Sequence, residues 1–245
     1  MFKRDNIAAL IAELFGTAVL TIVVLTVSRT LGYPYFVAIA AGLTLMVLVS
    51  TLGKTSGAQL NPAVTLSLWS VKKIKTVQAI LYIAMQCVGA LLALRLFSYL
   101  TGSTANVEKA GMDWKIFAAE AAGAFVFVFG IASALYQKFE GGRLAAAIGG
   151  SLFIGILVAS PASFAILNPA IALGVVWGTP YFVGPIVGGV VAANIYALLF
   201  AGEQVGLTTV AAKLSATTAT NKKPAPKKAK KSTKSTPKKK TTKRK

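Results

Sequence analysis

The chain repeats itself at a single fixed offset, and this repeat restricts its fold more than any other feature of the sequence. Three sets of residues recur with a spacing of 107 residues. They are Ala-Glu-x-x-Gly at 12–16 and 119–123, Asn-Pro-Ala at 61–63 and 168–170, and a glycine at Gly42 and Gly149. One tripeptide recurs readily by chance, but several features do not share one offset by chance. The sequence therefore predicts two copies of one structural unit.

Long apolar segments indicate that both units lie in a membrane. The chain of 245 residues is 55% hydrophobic and only 13% charged, whereas a soluble domain is about 25% charged. A helix that crosses the hydrocarbon layer needs about 20 mostly apolar residues. Six segments meet this requirement, at 7–28, 35–53, 76–97, 115–136, 144–161 and 181–202. This pattern predicts a multi-pass all-α membrane protein and excludes a soluble enzyme.

The number of spanning helices fixes the relation between the two copies, which cover about 7–97 and 115–202. Each copy has three such helices, an odd number, so the second copy is inserted upside down relative to the first. Basic residues in short loops favour the cytoplasmic side. With the N-terminus in the cytoplasm, that side receives Lys3, Arg4, Lys72, Lys73, Lys75, Lys138, Arg143 and the C-terminal segment, and the other side Arg29, Lys109 and Lys115. We therefore expect both termini to be cytoplasmic, in a plasma or inner membrane.

Two apolar stretches are too short to span the membrane. They run from Pro62 to Trp69 and from Pro169 to Trp177, and about nine helical residues extend roughly 13 Å, less than half the hydrocarbon thickness. Re-entrant half-helices that enter from opposite faces would meet near the midplane. Inverted repeats with such half-helices in matching places are typical of a transport site at that level.

The two Asn-Pro-Ala motifs, Asn61-Pro62-Ala63 and Asn168-Pro169-Ala170, are suited to the start of the half-helices. Asparagine is a good N-cap, and proline is favoured at the first helical position. Each helix N-terminus carries a partial positive charge, and each asparagine amide donates hydrogen bonds. A path between the two ends would admit neutral solutes that carry an oxygen and would exclude protons and cations.

Glu13 and Glu120 lie inside predicted membrane helices, where a carboxylate is costly and indicates a function. One interpretation is proton transport. The other is structural, with each carboxylate accepting hydrogen bonds from the irregular backbone before a half-helix. The matched placement of one glutamate in each copy favours two equivalent structural supports.

Few residues are available for catalysis or metal binding. The chain has no histidine and one cysteine, Cys87, in an apolar segment. The usual general base, the commonest metal ligand and an internal disulfide are therefore missing. We predict no enzymatic activity, no catalytic residue, no metal and no cofactor.

The motifs resemble those of the aquaporin (major intrinsic protein) family over nearly all of residues 7–202. The most specific stretch is Ser-Gly-Ala-Gln-Leu-Asn-Pro-Ala-Val-Thr at 56–65, followed by the second Asn-Pro-Ala. The paired glutamates and Ala84-x-Gln86-x-x-Gly89-Ala90 agree with it. The resemblance implies six spanning helices with two re-entrant half-helices, a homotetramer with one pore in each subunit, and passive flow of water or small neutral solutes.

At the family's outer selectivity constriction, this sequence departs from the usual pattern. The resemblance places Ala41, Ile156, Ala165 and Ile171 at the four lining positions. Family members usually have an aromatic residue at the first, histidine or glycine at the second and arginine at the last. Phe164 and Ile166 also stand where glycines are common, and Gln59 stands where histidine is usual.

We expect this apolar constriction to be wide, unless the two isoleucines close it, and to discriminate poorly among neutral solutes. Ala172 replaces the aspartate of the glycerol branch, and Tyr181-Phe182 is more similar to the water branch. Water is therefore the first expectation, with glycerol, urea, ammonia or hydrogen peroxide as the alternative. A proton-coupled carrier that uses Glu13 or Glu120 is a further alternative.

The C-terminal segment has a different composition. Residues 213–245 hold 14 Lys and Arg and no acidic residue, whereas 1–212 hold 12 Lys and Arg and 7 acidic residues, so the net charges are +14 and +5. Such a segment lacks the apolar residues that a packed core requires, so we predict a channel domain at 1–212 and a disordered tail at 213–245. The tail is predicted to bind anionic lipids. Nucleic-acid binding, in a membrane-anchored protein that no longer transports, and a merely solubilising role are the alternatives.

Overall fold

The computed structural model describes residues 4–102 and 108–200, which all belong to one unit of the chain, Met1–Val205. The first half contains α1 (Arg4–Thr30), α2 (Pro34–Ser56), α3 (Pro62–Ser70) and α4 (Thr76–Thr101). The second contains β1 (Glu108–Lys109), α5 (Trp114–Tyr136), α6 (Gly141–Ala159), α7 (Pro169–Val175), β2 (Val176–Trp177) and α8 (Thr179–Leu199). The predicted tail at 213–245 lies outside the described residues.

The six predicted spanning helices are confirmed. Among the described residues, α1, α2, α4, α5, α6 and α8 are long and apolar enough to cross a membrane. Large apolar side chains cover their outer surfaces, for example Leu43, Val47, Ile80 and Leu91. Apolar residues on all sides of a helix are typical of a lipid environment, and they explain why the sequence signal was strong.

The helices pack in pairs that follow the inverted repeat. Within each copy the first and last long helices are in contact, α1 with α4 and α5 with α8. The copies join where α2 packs against α6, and each half-helix packs against the last long helix of the other copy, α3 on α8 and α7 on α4. This exchange brings the two half-helices together inside one bundle.

Close helix contacts in the bundle depend on small residues. A Cβ atom at Gly89 of α4 would overlap the carbonyl oxygen of Leu14 in α1, and one at Gly188 of α8 would overlap that of Ala121 in α5. Small residues allow membrane helices to approach at backbone distance. These two glycines hold the first and last helices of each copy together.

The second half-helix is shorter than the sequence predicts. We expected it to extend to Trp177, but α7 ends at Val175, and Val176 and Trp177 form β2. Strand β2 pairs in parallel with β1, and the backbone N–H of Ala110 donates to the Trp177 carbonyl at 3.1 Å. The N–H of Val176 still donates to the Ala172 carbonyl, and its extended backbone then ends the helix and pairs the chain with β1, a partner that local sequence does not reveal.

Candidate functional site

The two half-helices begin as the Asn-Pro motif requires. Asn61 has an extended backbone, and its Oδ1 accepts a hydrogen bond from the Ala63 N–H at 2.8 Å. Asn168 likewise accepts from the Ala170 N–H at 3.0 Å, and a proline follows each asparagine at the first helical position. Each side chain therefore caps its own half-helix and leaves its Nδ2 group pointing away from that helix.

The two motifs are also hydrogen-bonded to each other. Asn61 Nδ2 donates to the Leu167 carbonyl at 2.8 Å, and Asn168 Nδ2 donates to the Leu60 carbonyl at 2.9 Å. An amide nitrogen carries two hydrogens. In the described part of the chain, the second hydrogen of each asparagine has no acceptor, and both side chains line one cavity.

Each half-helix follows a loop with an unusual backbone. Ala58 and Leu60 have φ values of 46° and 53°, and the corresponding Ala165 and Leu167 have 53° and 52°. The left-handed conformation costs a residue that is not glycine about 1–2 kcal/mol. Four such residues persist only where other interactions hold them.

The two buried glutamates provide those interactions. Glu13 accepts hydrogen bonds from the backbone N–H groups of Gln59 and Leu60 at 3.0 and 2.7 Å. Glu120 accepts them from Ile166 and Leu167 at 3.0 and 2.8 Å. Both side chains are fully buried, so the four N–H groups would otherwise be unsatisfied in a low-dielectric interior.

The loop supports at Glu13 and Glu120 differ in one hydrogen-bond donor. The sequence predicted two equivalent supports and did not indicate this difference. Gln86 Nε2 donates to Glu13 Oε2 at 2.7 Å and to Thr65 Oγ1 at 3.0 Å. The positions that correspond to Gln86 and Thr65 in the second copy are Ala193 and Ala172. Among the described residues, Glu13 therefore has a buried side-chain amide donor that Glu120 lacks.

A cavity of about 590 Å³ lies on one side of the paired motifs. Its wall includes all four residues of the predicted constriction, Ala41, Ile156, Ala165 and Ile171, together with Asn61 and Asn168. Each of the four is at most 3% exposed. The structure brings them to one apolar passage, and their role in selectivity stays a prediction.

A second cavity, of about 400 Å³, lies on the other side. Its wall includes Val64 and Ile148, which correspond by the repeat offset to Ile171 and Ala41. A shift of 107 residues from the predicted constriction therefore finds part of this wall. Sequence interpretation used the offset for motifs only and missed these residues.

The two cavities have three lining residues in common, Leu45, Gln59 and Phe127. We name this group the neck. All three side chains are more than nine-tenths buried. Of the three, the sequence singled out only Gln59, for the histidine that is usual at its position.

Comparison with known proteins agrees with this architecture. The family model described as "Major intrinsic protein" matches residues 1–196. Aquaporin NIP1-1 of Oryza sativa subsp. japonica is 32% identical over 219 residues, which cover 81% of this chain and 76% of the relative. Aquaporin-1 of Sus scrofa is 33% identical over 188 residues, 70% of this chain and 69% of the relative.

A solved structure shows the same fold. The aquaglyceroporin from Plasmodium falciparum superposes with a TM-score of 0.68, over 79% of this chain and 96% of that chain. The sequence identity is 20%, so the likeness concerns the fold alone.

Proposed function

The chain belongs to the major intrinsic protein family and is a multi-pass channel for water and small solutes, and we propose that water is its principal solute and that it excludes protons and cations. The family match confirms the prediction that the chain belongs to this family. It also confirms the prediction that the protein is not an enzyme, because members of the family are passive channels. The observation that carries the proposal is the pair of asparagines, each with one N–H left for an oxygen in the cavity.

Water suits this arrangement because its oxygen can accept from both asparagines in turn. The cavity wall around them is apolar at Ala41, Ile156, Ala165 and Ile171. A molecule that passes this wall therefore keeps few hydrogen bonds until it reaches the asparagines. Water is smaller than glycerol and urea and gives up fewer hydrogen bonds than they do in passing the wall.

Exclusion of protons and cations follows from the field and the orientation at the same point. The N-termini of α3 and α7 present partial positive charge, and such half-helix ends are a recognised barrier to cations in aquaporin-type pores. A water oxygen that accepts from Asn61 or Asn168 also points both of its hydrogens away from the motif. When Asn61 and Asn168 donate to the same oxygen, both of its lone pairs are engaged, and that water cannot accept a proton and pass it on.

Small neutral solutes are the second candidate, with water secondary, and the apolar constriction favours them. The residue after the second Asn-Pro-Ala is Ile171, so no guanidinium occupies the passage at that position. Two alanines on the same wall leave additional space. Glycerol, urea, ammonia and hydrogen peroxide are the solutes to test.

Stopped-flow permeability of reconstituted protein tests the proposal. Proteoliposomes are exposed to osmotic jumps and to gradients of glycerol and urea, with and without residues 213–245. We expect faster water exchange than in empty liposomes and no proton conductance. Liposomes that shrink no faster than empty ones would contradict the proposal, and uptake that collapses with the proton gradient would favour a carrier.

The orientation and assembly of the protein extend this proposal. We infer that both termini face the cytoplasm of a plasma or inner membrane and that four chains form a homotetramer. The count of basic residues in the loops did not include Lys54, near the end of α2, and Arg95, in the last third of α4. In this orientation one of them lies towards each side of the membrane. The basic excess on the N-terminal side is therefore unchanged. Labelling of single cysteines from one side of sealed vesicles tests the orientation.

Anionic lipids are the proposed partner of the basic tail, and nucleic acid is the less favoured one. A lysine near an anionic membrane surface contributes about 1 kcal/mol to binding. The 14 basic residues of 213–245 are attached to a membrane domain, so they remain close to lipid headgroups whenever the tail is on the cytoplasmic side.

A further inference from the structure

Gln59 occupies the neck between the two cavities. It lines both of them, its side chain is 6% exposed, and the two residues that share this position, Leu45 and Phe127, are apolar. Its counterpart in the second copy is Ile166, which offers no hydrogen bond. Of the three neck residues, Gln59 is therefore the polar one, and it comes from the first copy of the repeat.

The carboxamide oxygen of Gln59 lacks a protein partner. Gln59 Oε1 is buried and has no hydrogen bond in the described part of the chain. Burial of an acceptor without a hydrogen bond is unfavourable, and such a group in a native structure requires an explanation. A turn of the amide that brings the oxygen to the cavity, where a passing solute donates a hydrogen bond to it, supplies one.

The backbone of Gln59 is fixed whereas its amide can turn. Its N–H donates to Glu13 Oε1 at 3.0 Å, which anchors the loop. The last torsion of a glutamine side chain is broad, without the three sharp wells of the others. The oxygen and the NH₂ group can therefore exchange places at the neck without a change in the backbone.

Resting on the proposed function, we infer that Gln59 determines specificity at the neck and favours small primary amides and urea over polyols of similar size. The Gln59 Oε1 accepts an N–H of such a solute while Nε2 donates to its carbonyl oxygen. The two bonds form together because donor and acceptor are held side by side in both amides. They replace hydrogen bonds to water that the solute loses in the apolar constriction, so they lower the barrier to its passage.

Permeability ratios of three variants test this inference. Urea, formamide, glycerol and water are measured in proteoliposomes of the unaltered protein, Gln59→Met, Gln59→His and the control Gln137→Met. Gln137 is exposed after the end of α5, and its Nε2 donates to Ser133 Oγ. The control makes the same chemical change away from the neck.

We expect Gln59→Met to lower the urea-to-glycerol ratio by about fivefold, since a net hydrogen bond contributes about 1 kcal/mol. Gln59→His should lower this ratio also and leave water permeability nearly unchanged. The imidazole donor and acceptor point in different directions and cannot pair with one amide. Gln137→Met should leave every permeability unchanged.

A measurement on the unaltered protein complements the variants. Water exchange is recorded with urea, or with glycerol, at equal concentration on both sides of the membrane. If amides occupy the neck preferentially, urea slows water exchange more than glycerol does. This experiment tests the preference for amides without any variant, and if Gln59→Met fails to fold, Gln59→His assigns that preference to Gln59.

The outcomes separate the inference from the proposed function. Water permeability with an unchanged urea-to-glycerol ratio in both Gln59 variants overturns the role of Gln59 and leaves the water channel intact. A protein that conducts water but neither urea nor formamide also overturns the role of Gln59 and leaves the water channel intact. An unaltered protein that conducts none of the four solutes contradicts the proposed function itself.

Discussion

Gly42 and Gly149 lie against each other where α2 crosses α6, and each contacts the backbone carbonyl of the other. A Cβ atom at Gly42 would lie 2.8 Å from the Gly149 oxygen, and one at Gly149 would overlap the Gly42 oxygen and lie 2.9 Å from Met46 Cβ. These two glycines form one of the pairs separated by 107 residues. The inverted copies therefore meet at the residues that the repeat itself identifies.

Substitution of Gly149 by alanine should destabilise the contact between the copies. Overpacking of a close contact typically costs about 1–3 kcal/mol, and here the added methyl group meets backbone, which cannot rotate away. We expect a lower midpoint of thermal unfolding in detergent. Gly150→Ala is the matched control, because a Cβ atom at Gly150 meets no neighbour within 4 Å. Equal midpoints for the two variants would contradict the prediction.

The spanning helices and the inverted repeat were predictable because their signals are local or periodic. The apolar segments predicted α1 and α8 to within three residues at either end. Asn-Pro predicted the starts of α3 and α7, since caps and proline act on adjacent residues. The resemblance, and no local pattern, indicated Ala41 and Ile171 as neighbours.

The remaining features depend on residues far apart in sequence. The bond from Asn61 Nδ2 to the Leu167 carbonyl joins residues 106 positions apart, and no local pattern indicates it. The end of α7 depends on pairing with β1. The oxygen of Gln59 is unsatisfied because, among residues 4–102 and 108–200, no hydrogen-bond donor packs within reach of it. Only packing in three dimensions determines such contacts.

Replacement of Glu120 by glutamine should weaken the second loop and the channel together. The variant amide presents a donor where Glu120 now accepts from both Ile166 and Leu167. One buried N–H is left unsatisfied, at a cost of about 1–3 kcal/mol. We expect a lower unfolding midpoint and slower water exchange in the same preparation.

The matched control is Glu140→Gln. Glu140 is exposed at the start of α6 and makes no capping hydrogen bond with its side chain. It should behave like the unaltered protein. A stable Glu120→Gln variant that conducts water but has lost a dependence on the proton gradient would favour the carrier interpretation.

A negative charge at the second motif should admit cations. Asn168→Asp keeps the oxygen that caps Ala170 but cannot donate to the Leu60 carbonyl, and it places a carboxylate on the cavity wall. That charge opposes the positive potential of the half-helix ends. We expect proton or sodium leakage, measured with a pH-sensitive or sodium-sensitive dye in proteoliposomes under a clamped potential. Asn168→Ser is the control, because serine caps a helix without charge; a leak of equal size there would assign the effect to the lost hydrogen bond.

Removal of residues 213–245 should change lipid binding and leave transport intact. The segment carries 14 of the 26 basic residues of the chain, and their attraction to anionic headgroups weakens as salt screens it. The isolated segment should bind vesicles that contain phosphatidylserine at low salt and release them at high salt. The shortened channel should conduct water at the unaltered rate in neutral liposomes. A salt-dependent shift of DNA by the segment, without binding to anionic vesicles, would reverse the order of the two partners.

Introduction of arginine at Ile171 should narrow the range of solutes. Ile171 is 3% exposed, and its side chain lies on the same cavity wall as Ala41 and Ala165. The two alanines leave room for the longer side chain, which would add five donors and reduce the free cross-section. We expect glycerol and urea permeability to fall about tenfold, which corresponds to a barrier about 1.4 kcal/mol higher. Water permeability should change much less. Ile171→Met, long but uncharged and without donors, is the matched control and should retain more of the solute flux. If Ile171→Arg and the unaltered protein pass the same solutes at the same rates, Ile171 does not line the constriction.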